Sequence, residues 1–160
     1  MNRFIIVLFV FVGVACTKPQ KPATTSLPEL EDTLNVLLNK WHYDAAQANI
    51  DAYFDRIADE GVFLGTDPSE HWVKDSFYVW AAPYFEASRT WTFKPIERHW
   101  YESENAQVVW FDELLKTQMG VCRGTGVLQR VDGQWEINHY ALSLTLPNNK
   151  LREYIELVKK

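Results

Sequence analysis

The sequence lacks most of the short motifs that mark a catalytic or cofactor-binding protein. It has no cysteine and histidine cluster, no glycine-rich phosphate loop and no Gly-x-Ser-x-Gly elbow. Lysine and arginine do not cluster or alternate with aromatic residues, which argues against nucleic acid as a partner. We therefore expect a protein without a bound metal ion or cofactor.

Long apolar runs are also missing, apart from one near the start. Residues 4–15 are apolar, but a bilayer-spanning helix takes about 20 such residues. The run follows Met1-Asn2-Arg3, and Gly13-Val14-Ala15 leads directly into Cys16. This is the layout of a bacterial lipoprotein signal. We predict a signal peptide over 1–15 and lipid on Cys16; the alternatives are plain secretion and an uncleaved anchor.

Cysteine is otherwise almost absent, since Cys122 is the one other thiol. A lone thiol cannot cross-link the domain internally, so a hydrophobic core must hold the fold together. We expect Cys122 to pack there as a small hydrophobic side chain.

The segment after the predicted signal contains lysine, proline and threonine but almost nothing apolar. Such a composition cannot bury enough surface to offset the entropy of ordering, so 16–28 is predicted to be a flexible tether. One domain of ordinary size, 29–160, remains. No acidic residue directly follows Cys16, so retention at the inner membrane is not indicated. We expect a lipid-anchored protein of the cell envelope, at the outer membrane or in the periplasm rather than in the cytoplasm.

Helical periodicity dominates the first half of the domain. Apolar residues at spacings of three and four predict an amphipathic helix over 29–46. Asn49 is placed to cap a short second helix. The same spacing predicts a third helix around Phe77, Trp80 and Phe85 and a last helix from Leu151. Between them, 61–65 is a short apolar run between glycines, which predicts a first strand.

After Arg89 the sequence becomes rich in valine, threonine and aromatic residues. Turn signals divide it into four long segments, which predict an antiparallel meander of strands over 91–101, 106–115, 117–130 and 135–146. Helices followed by such strands indicate an α+β fold with the helices on one face of the sheet. A curved sheet closed by helices forms a cone with an apolar interior, where small ligands bind.

This order and several local strings resemble the NTF2-like superfamily, specifically its SnoaL-like group. The resemblance covers about 30–149 and rests on five strings: Leu38-Asn39-Lys40-Trp41-His42, Phe63-Leu64-Gly65-Thr66-Asp67-Pro68-Ser69-Glu70-His71-Trp72, Trp110-Phe111-Asp112-Glu113, Arg123-Gly124-Thr125-Gly126-Val127-Leu128 and Gly133-Gln134-Trp135-Glu136-Ile137-Asn138-His139-Tyr140-Ala141-Leu142-Ser143. It implies an NTF2-like cone and, as relatives often form, a homodimer through the open sheet. It does not imply one activity, because the superfamily includes isomerases, cyclases, dehydratases and non-catalytic binding modules.

The ketosteroid isomerases of this superfamily use a carboxylate base, with a tyrosine and a protonated aspartic acid as oxyanion donors. By resemblance, Trp41 stands where the tyrosine belongs, Gly65 where the base belongs and Thr125 where the second acid belongs. An isomerase activity of that type is therefore disfavoured. The histidine and aspartate pair of the dehydratase branch is not evident, although His139 with Asp112 or Asp44 could supply one.

Alternation along the strands assigns the remaining candidates to one face. If Trp135 and Ile137 point into the cone, His139 and Ser143 line it with them. Neighbouring strands offer four plausible partners, although a β-bulge would reverse any of these assignments: Trp110, Asp112, Arg123 and Thr125.

Each candidate has a structural interpretation beside the functional one. His139 is a general acid or base working with Asp112, or a histidine whose hydrogen bonds are satisfied by the fold. Arg123 is an anion-binding residue, or pairs with Asp112 or Glu70. The other candidate ligand-binding residues also have two interpretations each. Trp41 packs in the core or forms a wall of the pocket, and Glu70 caps a helical turn or lies at the mouth of the pocket. Trp72 is a lid or a packing residue, and Trp110 faces the cavity or a dimer contact.

The sequence therefore favours a module that holds a small, largely apolar molecule in its cone. An enzyme of the isomerase, cyclase or dehydratase kind using His139 is one alternative. A non-catalytic interaction module that dimerises is the other.

Overall fold

A computed structural model of the protein describes residues 26–159. Cys16, the predicted signal peptide and most of the predicted tether lie outside these residues. The described elements are, in chain order, helix α1 (Leu27–Ala46), helix α2 (Ile50–Phe54), strand β1 (Ile57–Leu64), strand β2 (His71–Val73), helix α3 (Lys74–Glu86), strands β3 (Lys94–Glu102), β4 (Val108–Thr117), β5 (Gly120–Val131) and β6 (Gln134–Leu144), and helix α4 (Leu151–Val158).

Helix α1 forms because its apolar residues recur along one stripe and its first turn is capped. The Glu29 carboxylate accepts a hydrogen bond from the Ser26 amide at 3.0 Å, and Pro28 occupies the first turn. The buried stripe includes Leu34, Leu38 and Trp41 and packs into the core. The helix predicted over 29–46 is therefore confirmed, as are the short helix after Asn49 and the terminal helix.

The six strands form one curved mixed sheet in the order β2-β1-β6-β5-β4-β3. The predicted meander is confirmed, since β3 to β6 pair antiparallel with their sequence neighbours. The predicted first strand is longer than 61–65, and it lies parallel to β6. That pairing and the short strand β2 were not anticipated, because they depend on contacts between distant segments.

Helices α1, α2 and α3 and the inner face of the sheet enclose one aromatic-rich core. Helix α1 packs against α2 and β3, and α3 packs against β1 and β2. The α+β cone predicted from the sequence is confirmed, and the fully buried Cys122 is part of its core, as expected. Within residues 26–159, no helix has both the length and the apolar character needed to cross a membrane.

One irregularity in β6 decides which side chains face the core. Ile137 pairs with Leu128 and His139 pairs with Val127, so Asn138 is an extra residue on β6. A bulge of this kind shifts the alternation by one residue. Trp135 and Ile137 face inward before it, but Tyr140 and Leu142 face inward after it, and His139 is turned to the outer face.

Candidate functional site

The cone opens into a cavity of about 190 Å³ at the end where α3, β1 and β2 meet. Its lining comes from β1, β2, α3 and β6 and from the loops after β1, α3 and β4, and six of its members are aromatic: Phe63, Gly65, Thr66, Glu70, Trp72, Phe77, Trp80, Trp91, Phe93, Gln118, Met119 and Leu142. Concave, mostly apolar spaces with a few polar groups are the usual sites for small ligands. The cavity is therefore the candidate site of this protein.

Three tryptophans form one wall of the cavity. The ring of Trp80 lies 4.6 Å from that of Trp72 and 6.2 Å from that of Trp91, with interplanar angles near 30°. The ring of Phe77 lies 5.5 to 6.1 Å from all three and is within about 22° of parallel to each of them. Trp80 keeps 37% of its surface exposed. The wall is thus a panel of roughly parallel indoles that remains partly open to solvent.

Glu70 lies at the mouth of the cavity and also stabilises the turn before β2. Its Oε2 accepts a hydrogen bond from the Asp67 amide at 3.1 Å. Its carboxylate lies over Gly65, where a Cβ atom would collide with it. The capping role predicted for Glu70 is therefore confirmed, although 67–70 is a turn rather than a helix. Trp72 packs on Phe63 and lines the same cavity.

A buried polar network lies deeper in the cone, behind Phe63 and Phe93. The Glu113 carboxylate is fully buried and accepts from Arg98 Nη2 at 2.6 Å, Arg98 Nε at 3.0 Å and Tyr140 Oη at 3.1 Å. The two Arg98 contacts are made to Oε2, whereas the Tyr140 hydroxyl donates to Oε1, and Nε2 of His42 lies 2.8 Å from that same Oε1. Because an ionised carboxylate can only accept, Nε2 of His42 carries the proton in this contact.

Two pKa values record the balance of burial and charge in this network. Burial opposes ionisation of Glu113, but His42 and Arg98 outweigh it and hold the pKa of the carboxyl below its usual value. Burial, reinforced by the neighbouring Glu113 carboxylate, raises the pKa of Tyr140 well above the ordinary value. Glu113 is therefore ionised and Tyr140 neutral at pH 7, and the four hydrogen bonds leave the carboxylate saturated.

The glycines beside Arg123 make room for this network. A Cβ atom at Gly124 would clash with the Tyr140 hydroxyl and lie 3.0 Å from Glu113. A Cβ atom at Gly126 would lie 2.6 Å from the Phe111 ring. The pattern of glycines on β5 therefore reflects close packing on the inner face rather than a ligand at Arg123.

The predicted polar set shares one face of the sheet, but that face is the outer one. Trp110, Asp112, Thr125 and His139 line a shallow groove there. The prediction that His139 and its partners line the cavity is wrong, because Asn138 reverses the alternation of β6. Asp112 pairs with Nδ1 of His99 at 3.3 Å and with the Tyr101 hydroxyl at 3.0 Å. Among the hydrogen bonds of residues 26–159, none joins His139 to a carboxylate.

Two other candidates have settled positions. Trp41 is fully buried, stacks on Tyr53 at 4.9 Å and donates from Nε1 to the Tyr53 carbonyl at 3.2 Å, so core packing is its role. Arg123 is exposed on the outer face and takes part in none of the ion pairs found in the described residues. The arginine that enters the cone is Arg98.

The outer face also carries Trp110, which is 42% exposed and stacks on Tyr101. A homodimer formed through this face stays a prediction.

The buried network was missed, although the sequence contained a signal for it. His42 follows Leu38 by four residues and so falls on the apolar stripe of α1. Glu113 alternates with Phe111 and Leu115, which places a charge on the buried face of β4. Charged residues are almost never fully buried unless they are paired. Two such residues at core positions therefore indicate that they form a pair.

Within residues 26–159, no three acidic, histidine or cysteine side chains converge as a metal site would require.

Solved structures share this cone. An NTF2-like protein of unknown function from Pseudomonas putida matches with a TM-score of 0.62 and 14% identity, over 77% of this chain and 92% of that one. An uncharacterized protein with a cystatin-like fold from Caulobacter vibrioides matches with a TM-score of 0.65 and 10% identity, over 81% and 99%. An NTF2-like protein from Cytophaga hutchinsonii gives 0.59 and 11%, over 72% and 98%. The fold is thus NTF2-like.

The sequence narrows this class to one family. The profile of the SnoaL-like domain matches residues 34–147, which is most of the chain. The protein therefore belongs to the SnoaL-like domain family, as the local strings predicted. No curated protein matches the chain.

Proposed function

We propose that this SnoaL-like domain binds a small, largely apolar molecule in the cavity between α3, β1 and β2, and that lipid on Cys16 holds it in the cell envelope. The aromatic lining of the cavity carries the binding proposal. Six aromatic side chains, with Met119 and Leu142, surround a space of about 190 Å³. At about 30 Å³ for each water molecule, that space matches roughly six waters. It suits a molecule, or one end of a molecule, of six to nine non-hydrogen atoms.

The polar groups support binding over catalysis at this cavity. Glu113 and Tyr140 have perturbed pKa values, which often mark catalytic groups. However, neither residue lines the cavity, and the Glu113 carboxylate already accepts four hydrogen bonds. A general base needs a free lone pair within reach of the substrate. The network therefore fits a structural role behind the floor of the site.

Ligand binding is tested with indole and toluene as neutral apolar probes. At a hundredfold excess over Kd, binding stabilises a protein by about 2.7 kcal/mol, so the melting temperature should rise by about 5 °C or more. Indole absorbs where tryptophan does, so calorimetry is the better readout for it. A shift of the tryptophan emission to shorter wavelength, as toluene displaces water from the indoles of the lining, reports on toluene.

A cavity-filling variant links binding to the site. Met119 lines the cavity and is 43% exposed, whereas Val121 is 44% exposed but is not among the lining residues. We expect Met119→Trp to abolish the thermal shift and Val121→Trp to preserve it. Equal binding by both variants would place the bound probe elsewhere, and absence of binding to the unaltered domain, by these probes and by choline and 3,3-dimethylbutan-1-ol, would overturn the proposal.

A further inference from the structure

The cavity carries charge of one sign only. Glu70 is the single charged side chain among its described lining residues, and no lysine, arginine or histidine accompanies it. Glu70 takes part in none of the ion pairs found in the described residues. Its Oε2 accepts from the Asp67 amide, while Oε1 has no hydrogen-bond donor from residues 26–159. One carboxylate oxygen at the mouth of an apolar cavity thus remains available to a positively charged group.

The aromatic panel favours the same sign of charge. A cation close to the face of an aromatic ring is attracted by the negative quadrupole of that ring, and tryptophan gives the strongest interaction. Trp72, Trp80 and Trp91 line the cavity together, with neighbouring ring centroids 4.6 and 6.2 Å apart. Because the cavity is largely apolar, such attraction is weakened less by water than at an open surface.

Charge on the whole chain adds to this preference. The formal net charge is −5, and a surface of that sign attracts cations and repels anions before contact. An anionic ligand would have to approach Glu70 without any cationic side chain in the lining to compensate. A neutral ligand would leave the Glu70 carboxylate partly desolvated and unpaired.

We propose that the cavity binds a small organic cation, with an alkylated ammonium group against the tryptophan panel and its charge facing Glu70. This inference rests on the proposed function and names its ligand class. A trimethylammonium head on a short chain is the simplest compound of this class. Choline has seven non-hydrogen atoms, a number that fits the volume of the cavity. Alkyl groups on the nitrogen satisfy the apolar lining, which a bare ammonium ion with its tightly held water does not.

The test compares choline with 3,3-dimethylbutan-1-ol, a neutral molecule of the same shape. Binding is measured by calorimetry on the domain at low ionic strength and at pH 7. We expect choline to bind at least about tenfold more tightly, since a partly desolvated cation–π contact and a nearby carboxylate together supply such a factor. The preference should shrink as salt is added, because part of the attraction is screened.

Two variants test whether Glu70 and Trp80 cause the preference for choline over the alcohol. Glu70→Gln should weaken choline binding about tenfold and leave binding of the neutral alcohol unchanged, whereas Glu104→Gln, an exposed site in the turn after β3, should change neither. Trp80→Leu offers a second route that keeps the Glu70 turn intact. It should weaken choline binding at least about fivefold more than alcohol binding.

The outcomes separate this inference from the proposed function. Equal or tighter binding of the alcohol overturns the cation preference and leaves ligand binding standing. If indole or toluene binds but neither choline nor the alcohol does, the cation preference is likewise overturned and ligand binding stands. Absence of binding by all four probes overturns both proposals. An unchanged choline affinity in Glu70→Gln and Trp80→Leu would also overturn the assignment to this cavity.

Discussion

At the scale of single residues, Glu113 has the most demanding position in the molecule. It is fully buried, yet four donors from His42, Arg98 and Tyr140 satisfy its two oxygens. A buried charge in such surroundings stabilises the fold only while its partners are present. The side chain therefore acts as the centre of the core rather than as a reactive group.

Glu113→Gln should lower the free energy of unfolding by about 3–5 kcal/mol at pH 7, because it leaves the Arg98 guanidinium buried without its counter-charge. Urea denaturation followed by circular dichroism measures the change. Asp59→Asn is the matched control. It breaks an ion pair with Lys74 whose carboxylate is almost fully exposed, so the midpoint should hardly move. A loss below about 1 kcal/mol for Glu113→Gln would show that the network contributes little.

Comparison of the original protein with Glu113→Gln also gives a pH dependence of stability with a defined sign. The pKa of Glu113 is lower in the folded protein than in the unfolded chain, where it is about 4.3. Its stabilisation is therefore complete above the unfolded-state pKa and is lost as the pH falls through the folded-state pKa. The denaturation midpoints of the original protein and Glu113→Gln should converge in acid below about pH 4. Parallel midpoints throughout that range would contradict the assignment.

At the scale of the elements, the one extra residue at the centre of strand β6, Asn138, determines how its side chains alternate between the two faces. Without Asn138, the side chains from Trp135 to Leu142 would alternate between the faces without interruption. The bulge therefore changes the bend of β6 while keeping Trp135, Ile137, Tyr140 and Leu142 inside.

Deletion of Asn138 should consequently be tolerated far better than deletion of Ala141 from the same strand. The first keeps every inward side chain inward, whereas the second turns Leu142 to the outer face, a loss comparable to removing a buried leucine, about 2–5 kcal/mol. Chemical denaturation of the two variants compares them directly. Similar losses in both would show that the bulge itself, through the curvature it gives the sheet, is required.

At the scale of the whole molecule, the proposed function needs the domain to be held at a membrane. We expect Cys16→Ser to move the protein from the membrane fraction to the soluble fraction, because each buried methylene of a lipid chain contributes about 0.8 kcal/mol to attachment. Fractionation of cells followed by immunoblotting measures this. Cys122→Ser, which leaves the leader intact, is the control and should remain with the membrane. Membrane association of Cys16→Ser would favour the uncleaved anchor instead.

The periodicity of apolar residues in the sequence was sufficient to predict the helices and strands that depend only on residues close together in the chain. The stripe of α1 and the valine- and aromatic-rich segments of the meander predicted helices and strands close to those observed. Local signals of this kind predicted only part of β1, and they could not predict its parallel partner β6, which lies some eighty residues away along the chain. They also failed at β2, which is too short to show a pattern.

The sequence by itself determined the α+β cone, through apolar periodicity and turn residues, and it indicated the SnoaL-like family through the resemblance of local strings. Only the tertiary structure decided which side chains face the interior. A single bulge at Asn138 turned His139 to the outer face, and the pairing of β4 with β3, together with the packing of α1 on β3, brought Glu113, Arg98 and His42 together. The physical reason is that alternation along a strand is a relative order. One inserted residue reverses it, and which face is buried is fixed by packing against distant parts of the chain.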